Sequence, residues 1–373
     1  MNTTKKEYFM NNFKKIGLTA LAGSLVTLGS SVAGELSVSG GINSTLKFGK
    51  GGGNTGRTIG VDRDVTFSGG GELDNGTTFS ISTTSVDSLA LSASTTTITT
   101  PSLGSFTLGA SCGSAAGSFD EEVPQAYEQV SDAKQTMSNQ VGDFMDNNSV
   151  VYTAPTFEVG GVSATLKLGY APQANDSNKA TGDGGQTTYS ATVGAGKEAG
   201  ITLAYEGLTL GFYGAERERT VPAANAASGQ TNTDEFNGVW YAKYNFGPVS
   251  IGYSEAYMDA GVTQASTTTT NTAKSERTAA GLFEGEQMSI AFNVNDNLSL
   301  SYTQSDETYD NQDDVATAVT TDDDVTESID AIQVAYSMGG MSIKAYNMEV
   351  TNPDQDDNAA DQSVTEIALG FAF

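Results

Sequence analysis

From Leu36 onward the chain alternates. Leu36, Val38, Ile42, Leu46 and Phe48 share one parity, and Ser37, Ser39, Asn43, Thr45 and Lys47 share the other. Period-two alternation describes a β-strand with two unlike faces. The pattern returns in the second half as a repeated hairpin. Tyr205-Glu206-Gly207-Leu208, Tyr244 to Val249, Phe292 to Leu298 and Tyr336 to Met341 each place an aromatic before a tight turn of Gly, Asn or Asp. Fresh alternation follows each turn: Leu208, Leu210, Phe212; Val249, Ile251, Tyr253; Leu298, Leu300, Tyr302; Met341, Ile343, Ala345. The turns recur about every 40 to 50 residues, as one hairpin with a long loop at its far end requires. A β-sandwich buries its apolar face; a membrane barrel turns that face to lipid and keeps the polar one wet.

Polar stretches without alternation separate the hairpins at 173–186, 218–235, 260–275, 305–327 and 352–362, and read as solvated loops. Short turns at one end and long loops at the other are the asymmetry of an outer-membrane barrel. The alternation gives about five strands before residue 111 and about eleven from Ser149 onward, with 187–206 and 277–295 as single long strands; splitting them gives about 18, also an even count. The longest break, Ser111 to Asn147, holds a candidate helix from Gln125 to Met137, just after Pro124.

No stretch after the first 33 residues offers about 20 apolar residues, so no transmembrane helix is expected, whereas a barrel strand needs only about 10 with every second one apolar. Residues 1–33 read as a cleaved signal peptide: Lys5, Lys6, Lys14 and Lys15, then the apolar stretch Ile16 to Leu28, then Ser31-Val32-Ala33 as a small-x-small site. Either Met1 or Met10 serves as the start. The remainder, 34–373, is one barrel domain.

Composition narrows the functions. The chain of 373 residues has no histidine and one cysteine, Cys112, so the commonest general base and metal ligand are missing and no disulfide can form within the chain. Against 18 basic residues stand 45 acidic ones, a net charge of −27, which makes nucleic acid an unsuitable partner. The 15 tyrosines and 16 phenylalanines argue against a disordered acidic chain.

Three segments carry a resemblance. Phe67-Ser68-Gly69-Gly70-Gly71-Glu72-Leu73-Asp74-Asn75-Gly76 resembles the early hairpin of the Gram-negative general porins, a strand entering a Glu-x-Leu-x-Asn-Gly turn. Asn148 to Phe157 resembles the strand after that family's pore-constricting loop, and the end Ile367 to Phe373, closing on an aromatic, resembles its signal to the barrel-insertion machinery. The resemblance implies an all-β transmembrane antiparallel barrel of about 16 strands. It also implies a homotrimer in the outer membrane, among lipid and lipopolysaccharide, with a third loop (111–147) folded inward. The family often sets an arginine cluster opposite that loop. Here Arg57 and Arg63 share the parity of Ile59, Val61, Val65 and Phe67, which turns them away from the lumen.

Within this frame the candidate residues fall into groups. The constriction loop carries Asp120, Glu121, Glu122, Glu128, Asp132, Asp143 and Asp146 against Lys134 alone; carboxylates in a narrow passage attract cations, while the plainer reading is a solvated charged loop. Lys47, Lys167, Lys243 and Lys344 alternate with apolar neighbours. A lysine facing lipid at mid-depth costs about 2–4 kcal/mol, so these four are expected on the lumen wall, setting a transverse field with the loop acids. Tyr205, Tyr244, Phe246, Phe292, Tyr336 and Phe373 are the candidate aromatic girdle. Asp322, Asp323 and Asp324 crowd one acidic loop and offer oxygens of the kind calcium takes, with solvation as the competing reading; no other cofactor is implied.

The function these readings imply is passive diffusion of small hydrophilic solutes and ions, with cations preferred. A solute-specific channel differs only in its lumen residues and stays open, as does a structural or adhesive surface protein, which would lack the apolar belt and the aromatic terminus. An enzyme is not expected without a histidine to activate a nucleophile.

Overall fold

The computed structural model describes residues 36–51, 55–86, 90–110, 114–134, 136–174, 193–219, 234–261, 282–310 and 324–372. Seventeen strands form a single sheet. They are β1 (Ser37–Lys50), β2 (Gly56–Glu72), β3 (Thr78–Val86), β4 (Ala90–Thr100), β5 (Gly104–Ala110), β6 (Ser149–Thr153), β7 (Phe157–Val159), β8 (Val162–Ala171), β9 (Val193–Tyr205), β10 (Leu208–Arg219), β11 (Glu235–Phe246), β12 (Val249–Asp259), β13 (Leu282–Asn295), β14 (Leu298–Asp310), β15 (Val325–Met338), β16 (Met341–Thr351) and β17 (Gln362–Ala372). Each strand pairs antiparallel with its neighbours, and β1 pairs with both β2 and β17, which closes the sheet. β6 and β7 both lie on β8 and share one position in the wall, parted at Ala154-Pro155-Thr156, where proline has no N–H to give to the ladder. The result is a closed antiparallel barrel of 16 strands. β9 and β13 each hold one position, which decides against splitting those segments.

The long-loop ranges need one revision. Alternation continues further than expected: β10 runs to Arg219, β14 to Asp310, and β15 begins at Val325. At the opposite end the hairpins turn on Glu206-Gly207, Gly247-Pro248, Asp296-Asn297 and Gly339-Gly340. Glu206, Gly247 and Gly339 take positive φ there, which suits the twist of two-residue hairpins.

The two faces are opposite in character. Ile332 is 65% exposed between Ala331 at 0% and Gln333 at 1%. On β14, Leu300 and Tyr302 are exposed while Ser301, Thr303, Ser305 and Glu307 are buried. A water-soluble fold buries its large apolar side chains. This sheet exposes them in a contiguous set, among them Phe212, Phe236, Ile251, Ile290, Phe292, Ile343 and Phe371, which is the arrangement of a surface that meets lipid.

The core lies on the other, polar face. Residues 114–147 pack there: Ala115, Ala116, Phe119, Met137, Val141, Phe144 and Met145 meet Tyr213, Val239, Tyr241, Met258, Phe283 and Tyr309 from the wall. Tyr127 and Val130 meet Ile329, Tyr346, Met348 and Val364. Close approach demands glycine at two wall positions. A Cβ on Gly200 would sit 2.3 Å from the Phe119 ring, and one on Gly252 would sit 2.3 Å from Pro124 Cδ.

Candidate functional site

Residues 114–147 are held by hydrogen bonds from the wall to both their backbone and their side chains. Glu198 on β9 accepts from Ala115 N–H at 2.9 Å and from the Tyr213 hydroxyl at 2.7 Å. Ser289 on β13 donates to the Pro124 carbonyl. The Ser301 hydroxyl takes Ala126 N–H at 2.9 Å, Gln333 Oε1 takes Tyr127 N–H at 2.8 Å, and Glu307 takes Met137 N–H. No helix spans 125–137, because the backbone turns extended inside that stretch: Gln129 takes φ −67°, ψ 154° and Thr136 φ −104°, ψ 160°, while the Glu128 carbonyl accepts from Gln333 Nε2 on the wall. What forms is a 3₁₀ turn at Val130–Asp132 and one helical turn, α1 (Met137–Gln140), capped by Thr136 Oγ1, which accepts from Asn139 N–H.

The seven acids of this segment have different surroundings. Glu121 is buried at 3% exposure and accepts from Ser131 Oγ, Thr136 Oγ1 and Gln287 Nε2; burial pushes its carboxyl up. It braces the segment internally. Asp120 is pushed up to about 7, first by burial and then by Glu121, Glu122 and Asp143 nearby. Glu128 is raised too, by burial and by Asp132, with the Lys344 ammonium pulling the other way. Glu122 pairs with Lys243. Asp132 pairs with Lys47 at 3.1 Å and accepts from the Tyr346 hydroxyl. Asp146 accepts Ser114 N–H at 2.9 Å, and Asp143 opens another 3₁₀ turn, Asp143–Met145.

All four wall lysines contact this segment. Besides the pairs of Lys47 and Lys243, Lys167 donates to Ser118 Oγ, and Lys344 Nζ lies 4.9 Å from the centre of the Tyr127 ring. Two of the four thus sit directly on loop carboxylates, where a field across open space had been expected. Arg57 lies over the Phe48 ring at 5.8 Å on the apolar face, and Arg63 is paired in register with Ile42 on that same face. Tyr205, Tyr244, Phe246, Phe292 and Tyr336 are all exposed on the apolar face beside the short turns. Phe373, residues 1–33, Cys112, Asp322 and Asp323 lie outside the described residues, and Asp324 directly precedes β15. No group of three or more acidic, histidine or cysteine side chains able to hold a metal occurs among the described residues.

Two cavities flank the segment and share Tyr127 and Glu128. One, of about 370 Å³, is lined by Asp120, Glu122, Gln125, Lys243 and Asn245. The other, of about 460 Å³, is lined by Asn43, Asp62, Asp64, Thr66 and Lys344. Asp62 and Asp64 escaped the sequence reading, yet they alternate with Val61, Arg63 and Val65, so the parity that turns the arginines away points these acids to the polar face. Arg217 and Arg219 continue the alternation of β10 beyond Phe212, in phase with Tyr213 and Ala215. Both pair with Glu235, at 2.5 and 2.9 Å, and Arg217 lies 4.7 Å from the centre of the Phe144 ring. Around the two cavities carboxylates outnumber bases, and Lys243 is held in an ion pair with Glu122.

No known family profile matches the sequence, and no curated protein matches it either. Solved structures do resemble the fold. OmpF of Salmonella typhi, solved in complex with daunomycin, aligns with a TM-score of 0.66 at 12% identity, covering 91% of this chain and 98% of that one. The anion-selective porin of Comamonas acidovorans aligns at 0.64 and 12% identity, over 91% of this chain and 100% of that one. The trimer form of in-vitro folded OmpT, an outer-membrane protein of Vibrio cholerae, aligns at 0.59 and 14% identity, over 92% and 100%. At such identities the likeness shows a shared barrel fold.

Proposed function

We propose that this protein is a Gram-negative outer-membrane channel of the general-porin kind, through which small hydrophilic solutes and ions diffuse passively, cations before anions. The observation that carries the reading is the pair of unlike faces on one closed barrel, with large apolar side chains exposed on one and residues 114–147 packed against the other; on this reading the first meets lipid and the second lines a lumen that the segment narrows. The passage runs past Tyr127 and Glu128, between that segment and the β2 wall with Asp62 and Asp64. The anion-selective porin of Comamonas acidovorans has the same fold, so ion preference rests on these charges and not on the barrel. The aromatics beside the short turns form the inner girdle, and lipid and lipopolysaccharide surround the barrel. Residues 1–33 direct export, and Phe373 presents the chain to the barrel-insertion machinery.

A homotrimer belongs to this reading. The apolar faces of β2–β4 carry Thr83, Ser94 and Thr96 beside Phe79 and Ile81, a mixture better suited to another copy of the chain than to lipid tails. A solute-specific channel is the second reading, favoured by the ion pairs of Glu122 and Asp132, which leave fewer free charges for a general ion preference.

The test is the reversal potential of purified protein in a planar bilayer under a KCl gradient. Stepwise conductance with a cation-selective potential is expected. Properly folded protein without conductance would sink the channel, and an anion-selective potential would sink the role given to the acids. Deleting Phe373 should lower the yield of barrel in the membrane; a normal yield would remove that residue's role.

A further inference from the structure

The connection between β16 and β17 reaches the same segment. Pro353 and Gln355 are buried, Gln355 completely. Asn352, Asp354 and Gln355 take φ of +50°, +64° and +52°, a left-handed stretch of residues none of which is glycine. Backbone of this kind persists only where surrounding contacts hold it.

Buried carboxylates do the holding. Glu327 on β15 accepts Asp354 N–H at 2.5 Å, and Glu307 on β14 accepts from Gln355 Nε2 at 2.8 Å. The other oxygen of Glu307 takes Met137 N–H, the first residue of α1, so one carboxylate grips both loops. A second link is the ion pair of Lys134 Nζ with Asp354 Oδ1 at 2.6 Å. Lys134 is the one base between residues 111 and 147, and it is directed at the neighbouring loop.

The geometry points to residues 352–355 as a clip that sets the position of the 114–147 segment, with Asp354 as its positioning residue. The Lys134–Asp354 pair and the shared Glu307 hold the end of that segment where α1 begins. Loss of the Asp354 charge frees Lys134 and loosens α1. On the channel reading, on which this electrical consequence rests, the freed end fluctuates in the passage and its ammonium lowers the preference for cations.

The test compares wild type with Asp354→Asn, Lys134→Gln, Asp354→Glu and the exchanged pair Lys134→Asp/Asp354→Lys in folded, detergent-solubilised protein. Hydrogen exchange across residues 136–141 is read first, because it needs no conduction. Either neutralising variant should speed exchange there about tenfold or more, while the Glu variant and the exchanged pair restore most of the protection. Single-channel recordings of the same proteins should show several-fold more frequent current fluctuations for the neutralising variants alone. Unchanged exchange in both Asp354→Asn and Lys134→Gln would overturn the clip, as would loss of protection that neither the Glu variant nor the exchange restores. A wild type that never conducts would overturn the channel and leave the exchange result to decide the clip by itself.

Discussion

The walls β2–β5 and β9–β17 belong to one sheet and share one alternation, yet their polar faces differ. Among the described residues, β2–β5 contain no buried position; every strand of β9–β17 has buried positions that alternate with less buried ones over part of its length. Both walls carry polar groups, and the difference lies in their reach. On β2–β5 they are mostly threonine and serine, and they bond across strands: Thr66 with Thr84 at 2.8 Å, Thr97 with Thr107 at 3.0 Å. On β9–β17 they include Glu198, Gln287, Glu307, Gln333 and Glu366, long enough to hold residues 114–147. Hydroxyls that satisfy one another leave a bare wall. Side chains that look for partners in front of the sheet gather a covering layer and become a dry core.

The largest effect should come from removing the cover. Phe119 is 1% exposed, rests on Gly200 and stacks on Tyr213 with ring centres 5.4 Å apart. Phe119→Ala should cost about 3–5 kcal/mol of docking energy, the usual range for a buried ring. Hydrogen exchange across 115–145 should quicken, and conductance should rise as β9–β17 become wet. Unaltered exchange would mean that the wall bonds alone fix the segment.

The next test sets the acids of the two walls against each other. Asp62→Asn with Asp64→Asn, on the bare wall, should lower the cation-to-anion permeability ratio several-fold, measured by reversal potential. Asp132→Asn should do less, because Asp132 is already paired with Lys47. An equal effect would place the passage along the covered wall instead.

Acidity should sharpen the same contrast. Asp120 titrates near 7 because burial and the neighbouring carboxylates disfavour its charged form. Above that pH it is charged, and below it neutral, so cation preference should fall as pH drops from 8 to 6. In Asp120→Asn that step should vanish, and a step of undiminished size would assign the titration elsewhere.

How much of this was legible beforehand follows from what parity can carry. Alternation identified the strands on either side of the 111–147 break and the phase of Lys47, Lys167, Lys243 and Lys344 relative to their apolar neighbours, because a two-residue period is a local property of the chain. Applied consistently, it also contained Asp62, Asp64 and Arg217. It had no means of separating the acids of the 111–147 segment. Glu121 and Glu122 are adjacent, yet one is enclosed by Ser131, Thr136 and Gln287 and the other reaches Lys243. Those partners come from β11, β13 and the far end of the segment, and no spacing near residue 121 announces them. The helix expected at 125–137 failed for the same reason: the backbone turns extended at Gln129 and Thr136 in a stretch bonded to Ser301, Gln333 and Glu307, all more than 160 residues away.

The smallest expected effect is also the most direct probe of wet against dry. Thr97→Val removes one partner of the Thr97–Thr107 pair, and Ser301→Ala removes the acceptor of Ala126 N–H; each deletes a single hydroxyl-mediated bond. A donor or acceptor left unpaired costs about 1–3 kcal/mol when water cannot reach it, and a bond readily replaced by water costs well under 1 kcal/mol. If β4 and β5 line open water, the Thr107 hydroxyl finds a new partner at once, and Thr97→Val leaves stability within about 0.5 kcal/mol of wild type. Ala126 is half-buried and its acceptor Ser301 is buried, so water replaces this bond less readily and Ser301→Ala should register as faster exchange around residue 126. Were Thr97→Val the costlier of the two, the hydroxyl wall would have to be dry, and the passage could not run along it.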